Sequence, residues 1–142
     1  MKELGFNMIR KHIKVEPSRW YMHCDREGIL VWQDLPSPNL PEGHEAFARQ
    51  NFEEEAVRII DAFENHPSIV QWVVFNEGWG QFDTERMTQV VIDKVSPQSL
   101  VCCASGWNDA EIGDIKDSHS YPYPSCPIDQ KRACVNGEYG GI

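Results

Sequence analysis

Two glutamates stand where strand-like segments give way to glycine-rich turns. Glu77 closes the run Val73-Val74-Phe75-Asn76 and is followed by Gly78-Trp79-Gly80, and Glu138 lies within Asn136-Gly137-Glu138-Tyr139-Gly140-Gly141. One such carboxylate is ordinarily a solvated surface acid. A pair meets a specific chemical requirement: cleaving a glycosidic bond needs one carboxylic acid to protonate the leaving oxygen, and a second carboxylate to attack the anomeric carbon or activate water. Asn76 is placed to donate to a sugar hydroxyl, although a turn role would also suit it.

Other polar and aromatic residues fall at the ends of the remaining strand-like segments. Arg10 and His12 alternate along one of them and are expected to share a face. Asp34 follows a second, Trp107 a fourth, and His119 and Tyr121 a fifth. His119 suits either a sugar contact or a hydrogen-bonded structural role. Trp79, Trp107 and Tyr121 offer flat surfaces for a sugar, but aromatic rings are also ordinary packing material. No His, Cys or acidic cluster has the spacing of a zinc site. The five cysteines form no C-x-x-C pair and read as mostly buried thiols.

These residues need a scaffold. Phe6 to Arg10 reads as a strand, and Pro17 to Glu27 as a helix with proline near its start and Gly28 just past its end. Ile29 to Trp32 is the next strand, and the Pro-rich loop Leu35 to Gly43 leads into a helix with Phe52, Ala56, Ile59, Ile60 and Phe63 on one face. Ile69 to Phe75 is almost continuously apolar and β-branched, the pattern of a central strand covered on both sides. Thr84 to Val95 puts Met87, Val90, Val91 and Val95 on one stripe, with Asp83 or Thr84 able to cap it. Leu100 to Cys103, Ile115 to Ser118 and Ala133 to Val135 are the remaining strands. The Pro-rich segment 121–127 cannot hold a helix of any length.

Buried strands alternating with helices imply βα units around a parallel sheet. An open doubly wound sheet and a closed eight-stranded barrel both satisfy that pattern. No Gly-rich phosphate loop follows any strand, and the polar residues collect at the strand ends, as in a (β/α)₈ barrel. Six strands are read.

The chain has 142 residues and a net charge of −9, with its 13 Lys and Arg residues scattered, so the basic footprint of a nucleic-acid binder is missing. No run approaches the roughly 18 apolar residues of a membrane-spanning helix, and the first residues lack the apolar stretch of a signal peptide. Neither point fixes the compartment of a parent protein, and a secreted or periplasmic parent is compatible with both. Oligomeric state is not encoded in any motif.

The phrases GFNMIRKH, GILVWQDLP, NHPSIVQWVVFNEGWGQFDTER, ASGWNDAEIGDIKDSHSYP and NGEYGG resemble the catalytic barrel of glycoside hydrolase family 2, the family of β-galactosidases, β-glucuronidases and β-mannosidases. The resemblance covers nearly the whole chain. It implies a TIM barrel, incomplete here, with the six segments as strands two to seven of eight. The upstream β-sandwich domains and the barrel ends would lie outside residues 1–142. It implies further that Asn76-Glu77 supplies the acid/base and Glu138 the nucleophile, and that Arg10 supports the nucleophile.

The function expected is a retaining, exo-acting β-glycosidase of the β-galactosidase type, with a carbohydrate partner and no cofactor. The chain on its own is expected to be inactive. The rivals are a non-catalytic carbohydrate-binding barrel and another retaining barrel enzyme of the mannanase or cellulase type.

Overall fold

The computed structural model describes residues 1–38 and 40–141; Asn39, in the Pro-rich loop, lies outside the described residues. Among the described residues a short 3-10 turn at Lys2–Leu4 precedes six strands and three helices. They follow in the order β1 (Met8–Lys11), α1 (Ser18–Glu27), β2 (Leu30–Asp34), α2 (Glu45–Phe63), β3 (Ile69–Asn76), α3 (Thr84–Lys94), β4 (Leu100–Ser105), β5 (Ile115–Ser120) and β6 (Ala133–Tyr139). All six strands pair in parallel with their sequence neighbours, in the order β1-β2-β3-β4-β5-β6. This is an incomplete TIM barrel whose C-terminal strand ends all point to one rim. Among the described residues no helix is long and apolar enough to cross a membrane.

Two apolar layers hold the sheet. Outside it, Val31, Trp72 and Val74 pack under Tyr21 and Cys24 of α1, Phe52, Ala56 and Ile60 of α2, and Met87 and Val91 of α3. Inside it, Trp32, Val73, Cys102 and Ile115 form a second cluster joined by Val135. The continuous apolar run of β3 follows from this, because Val73 faces the interior while Trp72 and Val74 face the helices. Gly28 ends α1 in the left-handed conformation, its N–H donating to Cys24 O, as an αL cap requires.

Several local expectations need correction. Helix α3 has no side-chain cap: Asp83 sits at the N-cap position with φ 37° and makes no capping hydrogen bond, and the Thr84 hydroxyl accepts from Gln81 instead. The buried stripe of α3 uses Thr88, whose hydroxyl donates back to Thr84 O, in place of Val90, which is half-buried. His12 is not on the strand. β1 ends at Lys11, and Ile13 takes a left-handed φ of 45° in the turn that follows. The strict helix–strand alternation also fails after β4: the connections 106–114 and 121–132 contain no helix.

Candidate active site

The rim of the sheet gathers Arg10, His12, Asp34, Asn76, Glu77, His119, Tyr121 and Glu138. Arg10 is the hub. Its Nε and Nη2 form a fork with Asp34 Oδ1 and Oδ2 at 3.0 and 2.9 Å, Nη2 also reaches Asn76 Oδ1 at 2.9 Å, and Nη1 reaches Glu138 Oε1 at 2.8 Å. The guanidinium also lies 5.2 Å from the centre of the Trp32 ring, a cation–π contact. Burial works against the Arg10 charge, but Asp34, Glu138 and Asp117 outweigh it and raise its pKa above the ordinary value.

Asp34, a candidate substrate contact at the end of β2, is taken up by protein groups. Its side chain is 1% exposed and is spent on Arg10, on the Ile13 N–H at 3.1 Å and on His12 Nδ1 at 3.4 Å. It therefore stands behind Arg10. The same carboxylate anchors the strained Ile13 turn that brings His12 around, and Asp34 raises the His12 pKa against desolvation and the Arg10 charge. His12 Nδ1 lies 3.5 Å from Glu138 Oε1, so it faces the site although it left the strand.

Asn76 is buried, and its amide orientation is fixed chemically. Arginine only donates, so the atom meeting Nη2 must be the amide oxygen. The side-chain NH₂ is then the group left to donate to a ligand.

Glu77 adopts φ 52°, a left-handed conformation uncommon for a residue with a Cβ. Both of its backbone polar groups are tied down: its N–H donates to Ser105 O at 2.9 Å, and its carbonyl accepts from Trp107 Nε1 at 2.9 Å. Trp107 thus holds the turn that aims Glu77, besides setting its ring edge-on to His119 at 5.7 Å between centroids. Strained backbone over-determined by its neighbours is a feature of functional sites. The Glu77 side chain meets His119 Nδ1 through Oε1 at 2.7 Å.

Glu138, near the end of β6, is held from two directions. Oε1 takes the Arg10 hydrogen bond, and Oε2 accepts from the Tyr121 hydroxyl at 2.6 Å. That hydrogen bond to Glu138 pushes the Tyr121 phenol up to about 12, so it remains a donor at ordinary pH. One oxygen each of Glu77 and Glu138 and one ring nitrogen of His119 lie within 4.8 Å of one another. Within this group Arg10 donates to Glu138 Oε1, and the His119 ring lies between Ser105 and Glu77 Oε1.

Trp79 takes no part in this cluster. It is 67% exposed and lines a groove with Ile13, Pro38 and Leu40 at the edge of the rim. His119 has a side-chain exposure of 0% and both ring nitrogens engaged, so it supports Glu77 rather than facing a sugar. Asp117 was missed as a site component, and Ser105, a polar residue at a strand end, was given no role; both are buried beside His119. The alternation Asp117-x-His119 along a strand was the available signal, since it puts both on one face.

The model of the glycosyl hydrolases family 2 TIM barrel domain matches residues 1–134. The chain belongs to this family. Glu138 lies just beyond the matched stretch. A β-glucuronidase of Bacteroides fragilis is 32% identical over 84 residues, a match covering 54% of this chain and 12% of that protein. A β-mannosidase B of Aspergillus flavus is 26% identical over 137 residues, covering 75% and 16% respectively. Among solved structures, a family 2 β-galacturonidase of Eisenbergiella tayi bound to galacturonate superposes with a TM-score of 0.71 at 23% identity, over 85% of this chain and 24% of that one. The chain thus spans roughly a tenth to a quarter of the length of these family 2 relatives.

Proposed function

We propose that this segment carries the catalytic pair of a retaining, exo-acting β-glycosidase of the β-galactosidase type, and that turnover belongs to a barrel closed by further strands. The observation that carries the proposal is the proximity of the two carboxylates, with oxygens within 4.8 Å. Retaining enzymes hold their carboxyl groups about 5 to 5.5 Å apart, whereas inverting ones leave about 6.5 to 9.5 Å for a water. Family membership and the names of the relatives support a β-glycoside as substrate.

In this reading Glu138 attacks the anomeric carbon while a protonated Glu77 gives its proton to the departing glycosidic oxygen. The C–O bond breaks and a glycosyl ester forms on Glu138. Glu77, now ionised, takes a proton from water, the water attacks the anomeric carbon, and the ester bond breaks with the original configuration restored. Arg10 and Tyr121 orient the nucleophile, and the Asn76 amide donates to the sugar 2-hydroxyl, an interaction that strengthens in an oxocarbenium-like transition state.

The expected result for Glu77→Ala in the closed-barrel protein is a loss of about 10²- to 10⁴-fold on alkyl glycosides, with little loss on dinitrophenyl glycosides, whose leaving groups need no proton. Equal losses on both would remove the acid role. A mechanism-based fluorosugar should leave a covalent adduct on Glu138, which a non-catalytic carbohydrate-binding barrel cannot form. Products released from oligosaccharides separate exo-action from the internal cleavage of a mannanase or cellulase.

A further inference from the structure

Behind Glu77 lies a chain of buried polar groups that the two-carboxylate chemistry does not itself call for. Asp117 and His119 of β5 have side chains that are 0% exposed, and Ser105 of β4 is fully buried between them. The Ser105 hydroxyl meets Asp117 Oδ2 on one side and His119 Nε2, at 2.8 Å, on the other. Asp117 Oδ1 accepts the Gly137 N–H at 2.6 Å. His119 Nδ1 then meets Glu77 Oε1.

Two glycines make room for the chain. A Cβ at Gly137 would overlap the Asp117 carboxylate, and one at Gly106 would come within 2.8 Å of the His119 ring. Three adjacent strands therefore supply the polar groups and the space they occupy.

Counting protons gives the chain a direction. Ser105 has one hydrogen for two contacts. An ionised Asp117 only accepts, and it is met here by two donors, the Gly137 N–H and the Ser105 hydroxyl, within the field of Arg10; these interactions favour the charged form. The Ser105 hydrogen then points to Asp117, and the Ser105 oxygen must accept from a proton on His119 Nε2. Burial is the largest influence on Asp117 and leaves its pKa raised above the ordinary carboxylate value, although Ser105, Gly137, His119 and Arg10 all oppose that rise. A protonated Asp117 would impose the reverse polarity, with Ser105 donating to Nε2 and the imidazole proton on Nδ1.

The geometry points to Asp117, Ser105 and His119 as positioning residues: Asp117 and Ser105 keep the His119 proton on Nε2, and His119 Nδ1 pins Glu77 by Oε1, so that Oε2 is the oxygen presented to the glycosidic bond. This rests on the assignment of Glu77 as the acid/base. Among the described residues Oε2 has no hydrogen-bond partner, whereas Oε1 does. Nδ1 also carries a proton, which it shares with Oε1 as a hydrogen-bond donor and keeps through the cycle, in the field of the Asp117 and Glu138 carboxylates. The proton that Glu77 gives to the departing oxygen in the first step sits on Oε2 and is replaced from water in the second, and His119 ends each turnover as it began. The charged and titratable groups facing His119 are Glu77 after β3, Asp117 on its own strand, Glu138 on β6 and Tyr121, with Arg10 beyond them.

The test uses the closed-barrel protein labelled with ¹⁵N-histidine, with His119→Gln identifying the signal. The expected spectrum shows Nε2 protonated, and Ser105→Ala or Asp117→Asn removes that preference. In kinetics, both variants should lose about 10- to 100-fold on alkyl glycosides, the scale of a displaced catalytic group. Dinitrophenyl glycosides should lose less than about 3-fold, and Ser105→Thr, which keeps the hydroxyl, should remain near wild type. A neutral His119 protonated on Nδ1 in the wild type overturns the proposal, and this reading stands even if the variants fail to fold. Losses that are absent, or equal on both substrate classes, also overturn it. With Glu77→Ala run alongside, a leaving-group pattern in that variant alone removes only the positioning chain. No such pattern in Glu77→Ala removes the acid/base assignment itself.

Discussion

Glu138→Ala in the closed-barrel protein is expected to stop turnover, and azide to restore it with the opposite anomeric configuration. Without the carboxylate no glycosyl ester can form, and loss of a covalent nucleophile costs on the order of 10⁴-fold or more. The space vacated lies between two hydrogen-bond donors, Arg10 Nη1 and the Tyr121 hydroxyl. Alanine leaves both without an acceptor, so a small anion is drawn to the position from which Glu138 attacked. Azide there attacks the anomeric carbon once, and a single displacement yields a glycosyl azide inverted relative to substrate. The check is the configuration of the product by NMR. An azide adduct with the substrate's own configuration, or no rescue on an activated glycoside, would remove Glu138 from the nucleophile's role.

The second large effect falls on stability. Arg10→Leu should destabilise the protein by about 3 to 5 kcal/mol, the cost of removing one member of a buried ion pair. Asp34 would keep its charge in a nearly sealed position, with only the Ile13 N–H and His12 left to it. Against a total of about 5 to 15 kcal/mol for a domain, such a loss is severe. Arg10→Lys should not restore the site, because a single ammonium cannot reproduce a fork shared among Asp34, Asn76 and Glu138. Arg10→Leu combined with Asp34→Leu should recover much of the stability and none of the activity, since the buried charge goes with its partner. Urea unfolding measures all three variants. An Arg10→Leu protein within about 1 kcal/mol of wild type would mean that solvent or His12 replaces the guanidinium.

The strands bearing Glu77 and Glu138, the proposed catalytic pair, were legible because their signals are local. A run covered on both faces announces β3, and a 3.6-residue stripe announces α2. β6 was read too short, ending at Val135, because Asn136-Gly137 resembles a turn. Gly137 is instead a strand glycine at a point of close approach, where the Asp117 carboxylate takes the place of a Cβ. The departure of His12 from β1 could not be read either, since the left-handed Ile13 is a conformation its residue type disfavours and the Asp34 carboxylate anchors across the rim. Likewise, Asp34 and His119 looked like candidate sugar contacts because sequence shows which residues reach the rim but not which stand in front. Only the hydrogen-bond partners separate Arg10 from the acid behind it.

The connections without helices give the two proposed catalytic carboxylates unequal mechanical footing. Glu77 rises from β3, clamped on its outer side by α2 and α3. Glu138 and its partner Tyr121 ride on β6 and the loop after β5, where no helix lies between successive strands. Free energies of local opening follow the apolar contact a segment makes, so backbone amides of β5 and β6 should exchange with solvent faster than those of β3. The proposed nucleophile is thus mounted on the compliant wall of the cleft and the proposed proton donor on the rigid one. Excursions that open the gap between them for a sugar to enter or leave are then movements of Glu138 against a stationary Glu77.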